Sequence, residues 1–213
     1  MRILECDADV ASAVDKLLAV ESRFSVVIES HGPPPLRRVQ AGLAGLLRLI
    51  TDQLISVQAG AVIWRRLEAE LAPFEPGKIA RRREATLMRL GLSGAKARSF
   101  KAVAAAVARG TLDFASLSQR SDEEVLAALV AQPGVGPWTA DMFLLSALGR
   151  ADAWPAGDLA LQIAAQRLFA LDERPTHRQL MVLAEPWRPW RSVAARLLWS
   201  HYRALKGLSQ AVA

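Results

Sequence analysis

The apolar positions of this chain recur with the period of an amphipathic helix over most of its length. In one segment Leu161, Ala164, Ala165 and Leu168 follow each other at helical spacing. The pattern predicts helices at residues 8–20, 36–55, 58–71, 93–108, 122–130, 138–148, 159–171, 176–185 and 189–205. Residues 24–29 are the exception, because their run of Val and Ile is compatible with one short strand.

The composition also favours an all-α fold. Ala, Leu and Arg are abundant, and alternating β-branched residues are few. With 213 residues and 52% hydrophobic content, the chain is long enough to bury one substantial core that two lobes share. A Gly- and Pro-rich run at residues 31–35 interrupts the helical pattern. We therefore expect an N-terminal arm at residues 1–35 that packs on the core, and a single compact unit at residues 36–213.

A helical hairpin is the clearest local feature of the sequence. Ser121 and Glu124 form a capping-box pattern that predicts the start of one helix, and Pro133 ends it. Gly134 and Gly136 permit backbone angles that are denied to residues with a side chain, and a proline then suits the first turn of the next helix. The turn presents main-chain amides at the positive end of a helix, which suits a phosphate oxygen. An ordinary hairpin, with glycines only for geometry, is the alternative.

A carboxylate stands at the start of the helix predicted after the hairpin. Asp158 follows Pro155 and Gly157 and directly precedes residues 159–171. An Asp at this position usually caps the helix, a contribution of about 1 kcal/mol. The positive end of a helix also stabilises a carboxylate in its charged form. A charged carboxylate that is held in place is able to stabilise positive charge on a sugar or to orient a water molecule, so the two roles do not exclude each other.

Charge and cysteine content narrow the classes of function. The net charge of +6 favours a polyanionic partner. Cys6 is the single cysteine, which excludes an internal disulfide and a four-thiolate iron–sulfur cluster. The three histidines show no metal-ligand spacing. Since the sequence shows neither a secretory signal pattern nor an apolar stretch of membrane-spanning length, we expect a cytoplasmic, bacterial-type protein that requires no cofactor.

Four segments together carry a specific resemblance. They are, in chain order, Thr51-Asp52-Gln53-Leu54-Ile55-Ser56-Val57-Gln58, Pro133-Gly134-Val135-Gly136-Pro137-Trp138-Thr139-Ala140, Pro155-Ala156-Gly157-Asp158 and Trp187-Arg188-Pro189-Trp190-Arg191-Ser192. They resemble the helix-hairpin-helix DNA glycosylases, specifically the AlkA-type 3-methyladenine DNA glycosylase II branch. The resemblance extends over residues 40–205 or so. It implies a two-lobed helical bundle with a helix-hairpin-helix motif and an active-site cleft between the lobes.

The resemblance also implies an activity and its residues. The expected protein is a monofunctional DNA glycosylase that hydrolyses the N-glycosidic bond of alkylated purines of the 3-methyladenine and 7-methylguanine type and leaves an abasic site. Asp158 would be the catalytic carboxylate, and Trp138, Trp199 and Met142 would line the base pocket. At the position of Trp138, relatives that also cleave the backbone have a lysine. At the position of Met142, close relatives have an aromatic residue.

DNA contacts follow from the same resemblance. Leu54, flanked by Gln53, would enter the gap that the extruded base leaves in the duplex. Four hairpin residues would bind the DNA backbone: Gly134, Val135, Gly136 and Thr139. Main-chain carbonyls would hold a structural Na⁺ or K⁺ ion, and by position they belong to Val130, Gln132 and Val135.

Other interpretations of these residues stay open. Leu54 and the tryptophans are also typical of a helix core. Lys96 and Lys101 lie on a different predicted helix, and we expect a surface role for both. A non-catalytic helix-hairpin-helix DNA-binding protein accounts for the charge and the glycines, but it gives no reason for Asp158 after Pro155. We expect the enzyme to act as a monomer on double-stranded DNA that contains alkylated bases.

Overall fold

Helices joined by short turns make up the computed structural model, which describes residues 2–207. Within this part of the chain, β-type pairing is limited to one bridge between Ile3 and Arg150. The all-α prediction is therefore confirmed for the described residues. In the same range, no helix combines the length and the apolar character that crossing a lipid bilayer requires.

The α-helices of the described chain are numbered in order. They are α1 (Asp7–Val20), α2 (Ser25–His31), α3 (Leu43–Asp52), α4 (Val57–Leu71), α5 (Pro76–Arg81), α6 (Glu84–Arg89), α7 (Gly94–Ala108), α8 (Phe114–Leu117), α9 (Asp122–Val130), α10 (Pro137–Met142), α11 (Leu159–Leu168), α12 (His177–Leu183) and α13 (Arg191–Leu205). A π-helical segment, Phe143–Ala147, continues α10. Two 3₁₀ turns occupy Ser22–Phe24 and Glu185–Trp187.

The described chain divides into two compact units. The first unit contains residues 2–38 and 149–207, and the second contains residues 39–148. The arm that we predict at residues 1–35 therefore shares a unit with the C-terminal helices. The predicted unit of residues 36–213 contributes to both units.

The first unit is built around α13. The segment from Val193 to Leu198 is buried without interruption, and α13 packs against α1, α2 and α11. A helix that is buried on all sides lies at the centre of its core. The start of the chain is fixed to this unit by main-chain hydrogen bonds, since the Leu4 amide donates to the Gly149 carbonyl over 2.8 Å.

Four aromatic rings pack together in the first unit's core. Trp187 is 1% exposed and lies in contact with three other rings. Its centroid is 5.2 Å from that of Phe24, 5.6 Å from that of Trp154 and 5.5 Å from that of Phe169. The Phe24 and Trp154 contacts are edge-to-face, a geometry that adds a favourable quadrupole term to the burial of apolar area.

The second unit is built around α7, which packs against α3, α5 and α6. Phe100 and Val103 of this helix are fully buried. The helix begins at a cap, because the Ser93 hydroxyl oxygen accepts a hydrogen bond from the Lys96 amide over 3.3 Å. The first turns of α7 therefore have a well-defined position in the core.

The capping signal of the hairpin is confirmed, and the strand prediction is wrong. Helix α9 has the predicted bounds, and its capping box joins Ser121 and Glu124 in both directions, over 2.9 and 3.2 Å. Residues 24–29 form the end of a 3₁₀ turn and most of α2. In that segment Phe24 and Val27 are the buried positions, and their spacing of three is helical. Packing of this face against the core outweighs the strand preference of Val and Ile.

The helix predicted at residues 36–55 is shorter in the structure, where α3 covers Leu43–Asp52. Gly42 has a φ of +114° and Arg37 a φ of +35°, and neither angle is compatible with an α-helix. Three short helices, α5, α6 and α8, are absent from the prediction, because segments of four to six residues are too short for a clear period.

We expect Trp187→Ala to lower the free energy of unfolding by about 3–5 kcal/mol, because the cavity it leaves is walled by three other rings. Urea titration followed by circular dichroism measures the change. Val182→Ala is the control, since Val182 is 70% exposed in the same unit. A midpoint shift for Trp187→Ala no larger than that of the control would contradict the central role of this ring.

Candidate functional site

The predicted hairpin turn connects α9 and α10. The Gln132 amide donates to the Leu129 carbonyl over 2.9 Å, and the Val135 amide donates to the Gln132 carbonyl over 3.1 Å. Gly134 has a left-handed φ of +79°, whereas Gly136 has φ −90° and ψ 174°. The expectation of glycine-specific angles is therefore correct for Gly134 and wrong for Gly136, whose extended backbone any residue adopts.

Gly134 is also required by close packing. A Cβ atom at this position would overlap the Ser99 hydroxyl oxygen and lie 2.8 Å from the Ser99 Cβ atom. Ser99 belongs to α7 and is 7% exposed, so its own side chain has little space to move. A Cβ atom at Gly136 would meet no atom within 4 Å. The turn thus approaches α7 as closely as a residue without a side chain allows.

The start of α10 is defined by its N-cap and by its first intrahelical hydrogen bond. Gly136 is the N-cap and Pro137 is the first helical residue. Trp138 and Thr139 follow in the first turn, where a helix has no carbonyl of its own four residues before each amide. That first bond runs from the Ala140 amide to the Gly136 carbonyl over 3.1 Å. Binding of an anion by this turn stays a prediction.

The side chains of the other predicted hairpin residues, Val135 and Thr139, are not accessible to DNA. Val135 and Thr139 are buried, with 4% and 2% exposure, and the Thr139 hydroxyl accepts a hydrogen bond from Gln53 over 2.8 Å. The role predicted for them in backbone binding is therefore open only to their main chain. Three carbonyl groups are predicted to hold a cation. One of them belongs to Val130, the last residue of α9, and the Gln132 carbonyl accepts the hydrogen bond from the Val135 amide within the turn.

Leu54 lies in the loop between α3 and α4, where it has an unusual environment. Its φ is +56°, an angle that costs a residue with a Cβ atom about 1–2 kcal/mol. Its side chain is fully exposed, at 104% of the reference area, so the alternative that Leu54 is a core residue is wrong. Neither property stabilises the fold, and strain of this kind is concentrated at functional positions.

Hydrogen bonds on both sides hold this loop in place. The Gln53 side-chain amide donates to the Gly134 carbonyl over 3.1 Å and to the Thr139 hydroxyl over 2.8 Å. The Lys96 ammonium donates to the Thr51 carbonyl over 2.8 Å and to the Gln53 carbonyl over 2.7 Å. The loop is thereby joined to the hairpin turn and to α7.

Lys96 is a residue whose role the sequence analysis missed. The surface role that we expect for it is wrong, because its ammonium group is partly buried between two carbonyl acceptors. Burial lowers the pKa of Lys96, and the charge of Asp52 opposes this shift. Its partners are 45 and 43 positions away in the sequence, so no local pattern indicates the contact.

Asp158 is the N-cap of α11, as the sequence predicts. Its Oδ1 atom accepts a hydrogen bond from the Leu161 amide over 3.0 Å and a second from the Trp199 indole N–H over 3.1 Å. The residue is partly buried. A carboxylate therefore lies at the positive end of a helix, oriented by both the main chain and an indole.

The tryptophans and the methionine of the predicted base pocket are distributed over both units. Trp199, on α13, belongs with Asp158 to the first unit. Trp138 and Met142 lie one helical turn apart on α10 in the second unit, and both are partly exposed. The structure thus brings Trp199 to Asp158, and it places Trp138 and Met142 on one face of α10. Their contacts with a base stay predictions.

These features define a class of protein. Residues 47–189 match the family model described as "HhH-GPD superfamily base excision DNA repair protein", and the chain belongs to this superfamily. The resemblance to its AlkA-type branch is confirmed.

Individual relatives agree with this assignment. The chain is 28% identical over 200 residues to the alkylbase DNA glycosidase-like protein mag2 of Schizosaccharomyces pombe, covering 91% of this chain and 94% of the relative. It is 32% identical over 223 residues to the probable bifunctional transcriptional activator/DNA repair enzyme AlkA of Mycobacterium tuberculosis, covering 93% of this chain but only 41% of that protein. The crystal structure of a DNA-3-methyladenine glycosidase from Bacillus halodurans is similar with a TM-score of 0.77 and 29% identity, over 92% of this chain and 91% of that one.

We expect Gly134→Ala to destabilise the second unit by at least about 1–2 kcal/mol, because the left-handed angle is unfavourable for alanine and the added methyl group overlaps Ser99. Gly136→Ala is the matched control, with an ordinary φ and open space at the Cβ position. Thermal unfolding of the two variants measures the difference in stability between them. Equal melting temperatures would show that the turn does not depend on close packing against α7.

Proposed function

We propose that this protein is a monofunctional DNA glycosylase that hydrolyses the N-glycosidic bond of alkylated purines in double-stranded DNA and leaves an abasic site. Membership in a superfamily of base excision DNA repair proteins supports a role on DNA. The names of the relatives support alkylated bases, 3-methyladenine among them, as substrates, and we extend the proposal to 7-methylguanine. The observation that carries the proposal is the Asp158 carboxylate, which α11 and Trp199 hold in one orientation.

Binding to the duplex comes first in the proposed reaction. The main-chain amides at the start of α10 donate hydrogen bonds to a phosphate group of the DNA backbone. The exposed side chain of Leu54 enters the space that the damaged nucleotide leaves as it rotates out of the helix. Extrusion costs a few kcal/mol, and it costs least for a damaged or poorly paired base. Selection of damaged nucleotides therefore begins before any chemical step.

Hydrolysis then takes place at the sugar. The bond between C1′ and the purine nitrogen breaks, and its electron pair leaves with the base, so an N3- or N7-alkylated purine departs as a neutral molecule. Asp158 stabilises the positive charge that develops on the sugar, and it orients a water molecule whose oxygen forms the new bond to C1′. The proton of that water passes to solvent. The electron-rich face of Trp199, whose indole N–H donates to Asp158, attracts the cationic base with about 0.5–2 kcal/mol.

The same proposal excludes a second activity, cleavage of the DNA backbone by a lyase reaction. That reaction requires an amine that attacks the sugar, and the residue at the corresponding hairpin position is Trp138, whose indole forms no Schiff base.

The carbonyl oxygens of Val130, Gln132 and Val135 are neutral, hard donors of the kind that Na⁺ or K⁺ prefers. A bound ion there would add positive charge toward a DNA phosphate. We further propose that the enzyme acts as a monomer in the cytoplasm.

Incubation of the purified protein with a panel of methylated and deaminated duplex DNAs tests the function directly. We expect free 3-methyladenine and 7-methylguanine to appear, with strand breaks only after heating in alkali. Borohydride reduction during the reaction should trap no covalent protein–DNA adduct. Tight binding without release of any base would instead support the non-catalytic DNA-binding protein, and a trapped adduct would contradict the monofunctional assignment.

We expect Asp158→Asn to bind damaged duplex with unchanged affinity and to lose excision by on the order of 100-fold or more, because the charge that stabilises the transition state is removed. Asn is as good an N-cap as Asp, so α11 should keep its stability. Single-turnover release of 7-methylguanine gives the rate.

The matched control for this variant is Asp113→Asn. Asp113 is also a helix N-cap, at α8, where its carboxylate accepts a hydrogen bond from the Ala115 amide over 3.0 Å. This control removes the same charge from the same kind of position. If both variants excise the base at the wild-type rate, Asp158 has only a capping role.

A further inference from the structure

We infer that Lys96 and Gln53 are positioning residues for base extrusion, which hold the Leu54 loop in one conformation and join it to the hairpin turn. Neither residue needs to contact the damaged base for this role. The inference rests on the proposed function for the DNA step that it serves. Its structural part, the restraint of the loop, is testable without DNA.

Lys96 acts on the main chain immediately before Leu54. Its ammonium group binds the carbonyls of Thr51 and Gln53 over 2.8 and 2.7 Å. The Gln53 carbonyl belongs to the peptide plane that leads into Leu54, so this bond fixes the plane from which the left-handed φ of Leu54 is measured. Hydrogen bonds from a charged donor are stronger than those between neutral groups. The ammonium group therefore opposes relaxation of the strained residue to an ordinary backbone angle.

Gln53 acts through its side chain in the other direction. Its amide nitrogen donates to the Gly134 carbonyl and to the Thr139 hydroxyl, which lie on either side of the start of α10. Residues 53 and 134 are 81 positions apart in the sequence. The loop that carries Leu54 is thus bonded directly to the turn that presents its amides to a phosphate.

Helix α7 provides a common base for both parts. Lys96 and Ser99 are three residues apart, so they lie on the same face of the helix. Lys96 binds the Leu54 loop, and Ser99 packs against Gly134 of the hairpin turn. Because α7 is buried in the core of the second unit, neither part moves without disturbing the other.

This arrangement has a consequence for DNA binding. A hairpin turn that has bound a phosphate holds Leu54 at a defined distance from the duplex, in the conformation that inserts. The loop does not have to lose further freedom at that step, which is the advantage of a preorganised binding element. Lys96 and Gln53 should therefore affect excision from duplex DNA more than excision from an unpaired substrate.

Lys96→Met tests the inference in two measurements. The NMR order parameters of the main-chain N–H groups of residues 53–56, without DNA, should fall from about 0.85, typical of rigid backbone, to below about 0.6 as the restraint is lost. The ratio of excision rates on duplex and single-stranded methylated DNA should fall about tenfold. Lys101→Met is the matched control, since it removes the same charge from the same helix, and both quantities should stay at the wild-type values.

A double-mutant cycle with Leu54→Ala separates a positioning role from general damage. If Lys96 acts through Leu54, Lys96→Met causes no further fall in the rate ratio when Leu54 is already Ala. Independent, multiplying effects would overturn the inference, and so would order parameters equal to those of wild type. A wild-type protein that excises nothing from either substrate would contradict the proposed function, while the order parameters still decide whether the loop is restrained.

Two further variants cover the case in which Lys96→Met does not fold. Gln53→Met keeps the side-chain volume and removes the donor, so the order parameters of the loop should fall as they do for Lys96→Met. Lys96→Arg keeps a charged donor, and it should retain most of the duplex preference. Order parameters for Gln53→Met that match wild type would show that the bonds to the hairpin turn do not restrain the loop.

Discussion

The close approach of the hairpin turn to α7 is the constraint on which the second unit's functional surface depends. It requires a residue without a Cβ atom and with a left-handed backbone, and Gly134 meets both conditions. Once the turn lies against Ser99, the Gly134 carbonyl is within hydrogen-bonding distance of the Gln53 side chain. The amides at the start of α10 and the exposed Leu54 then have fixed positions in the same compact unit.

Strain at Leu54 shows how the cost of an unfavourable local conformation is met elsewhere in the structure. An exposed leucine with a positive φ is unfavourable by its own local energetics. Charged and neutral hydrogen bonds from Lys96 and Gln53, together with the buried helix that carries Lys96, offset that cost. The same principle applies in the first unit, where the Asp158 carboxylate is partly buried and receives a main-chain amide and an indole N–H.

Local sequence patterns predicted much of the fold. The capping box at Ser121, the bounds of α9 and the N-cap at Asp158 depend on neighbours within three or four residues, and these predictions are confirmed. Where the outcome depended on packing, the same reasoning was wrong: residues 24–29 form a helix, and Gly136 has an ordinary extended backbone. The candidate site shows the same division, since Asp158 and the hairpin were visible in the sequence and Lys96 was not.

The sequence by itself determined the helical class, the hairpin and the family to which the chain belongs, because short-range spacing, capping and turn residues carry that information. Only the tertiary structure decided that Trp199 donates to Asp158, that Leu54 is exposed in a left-handed backbone, and that Lys96 and Gln53 hold its loop. These contacts join residues from 41 to 86 positions apart. Their formation depends on how buried helices pack, and no pattern of neighbouring residues records that packing.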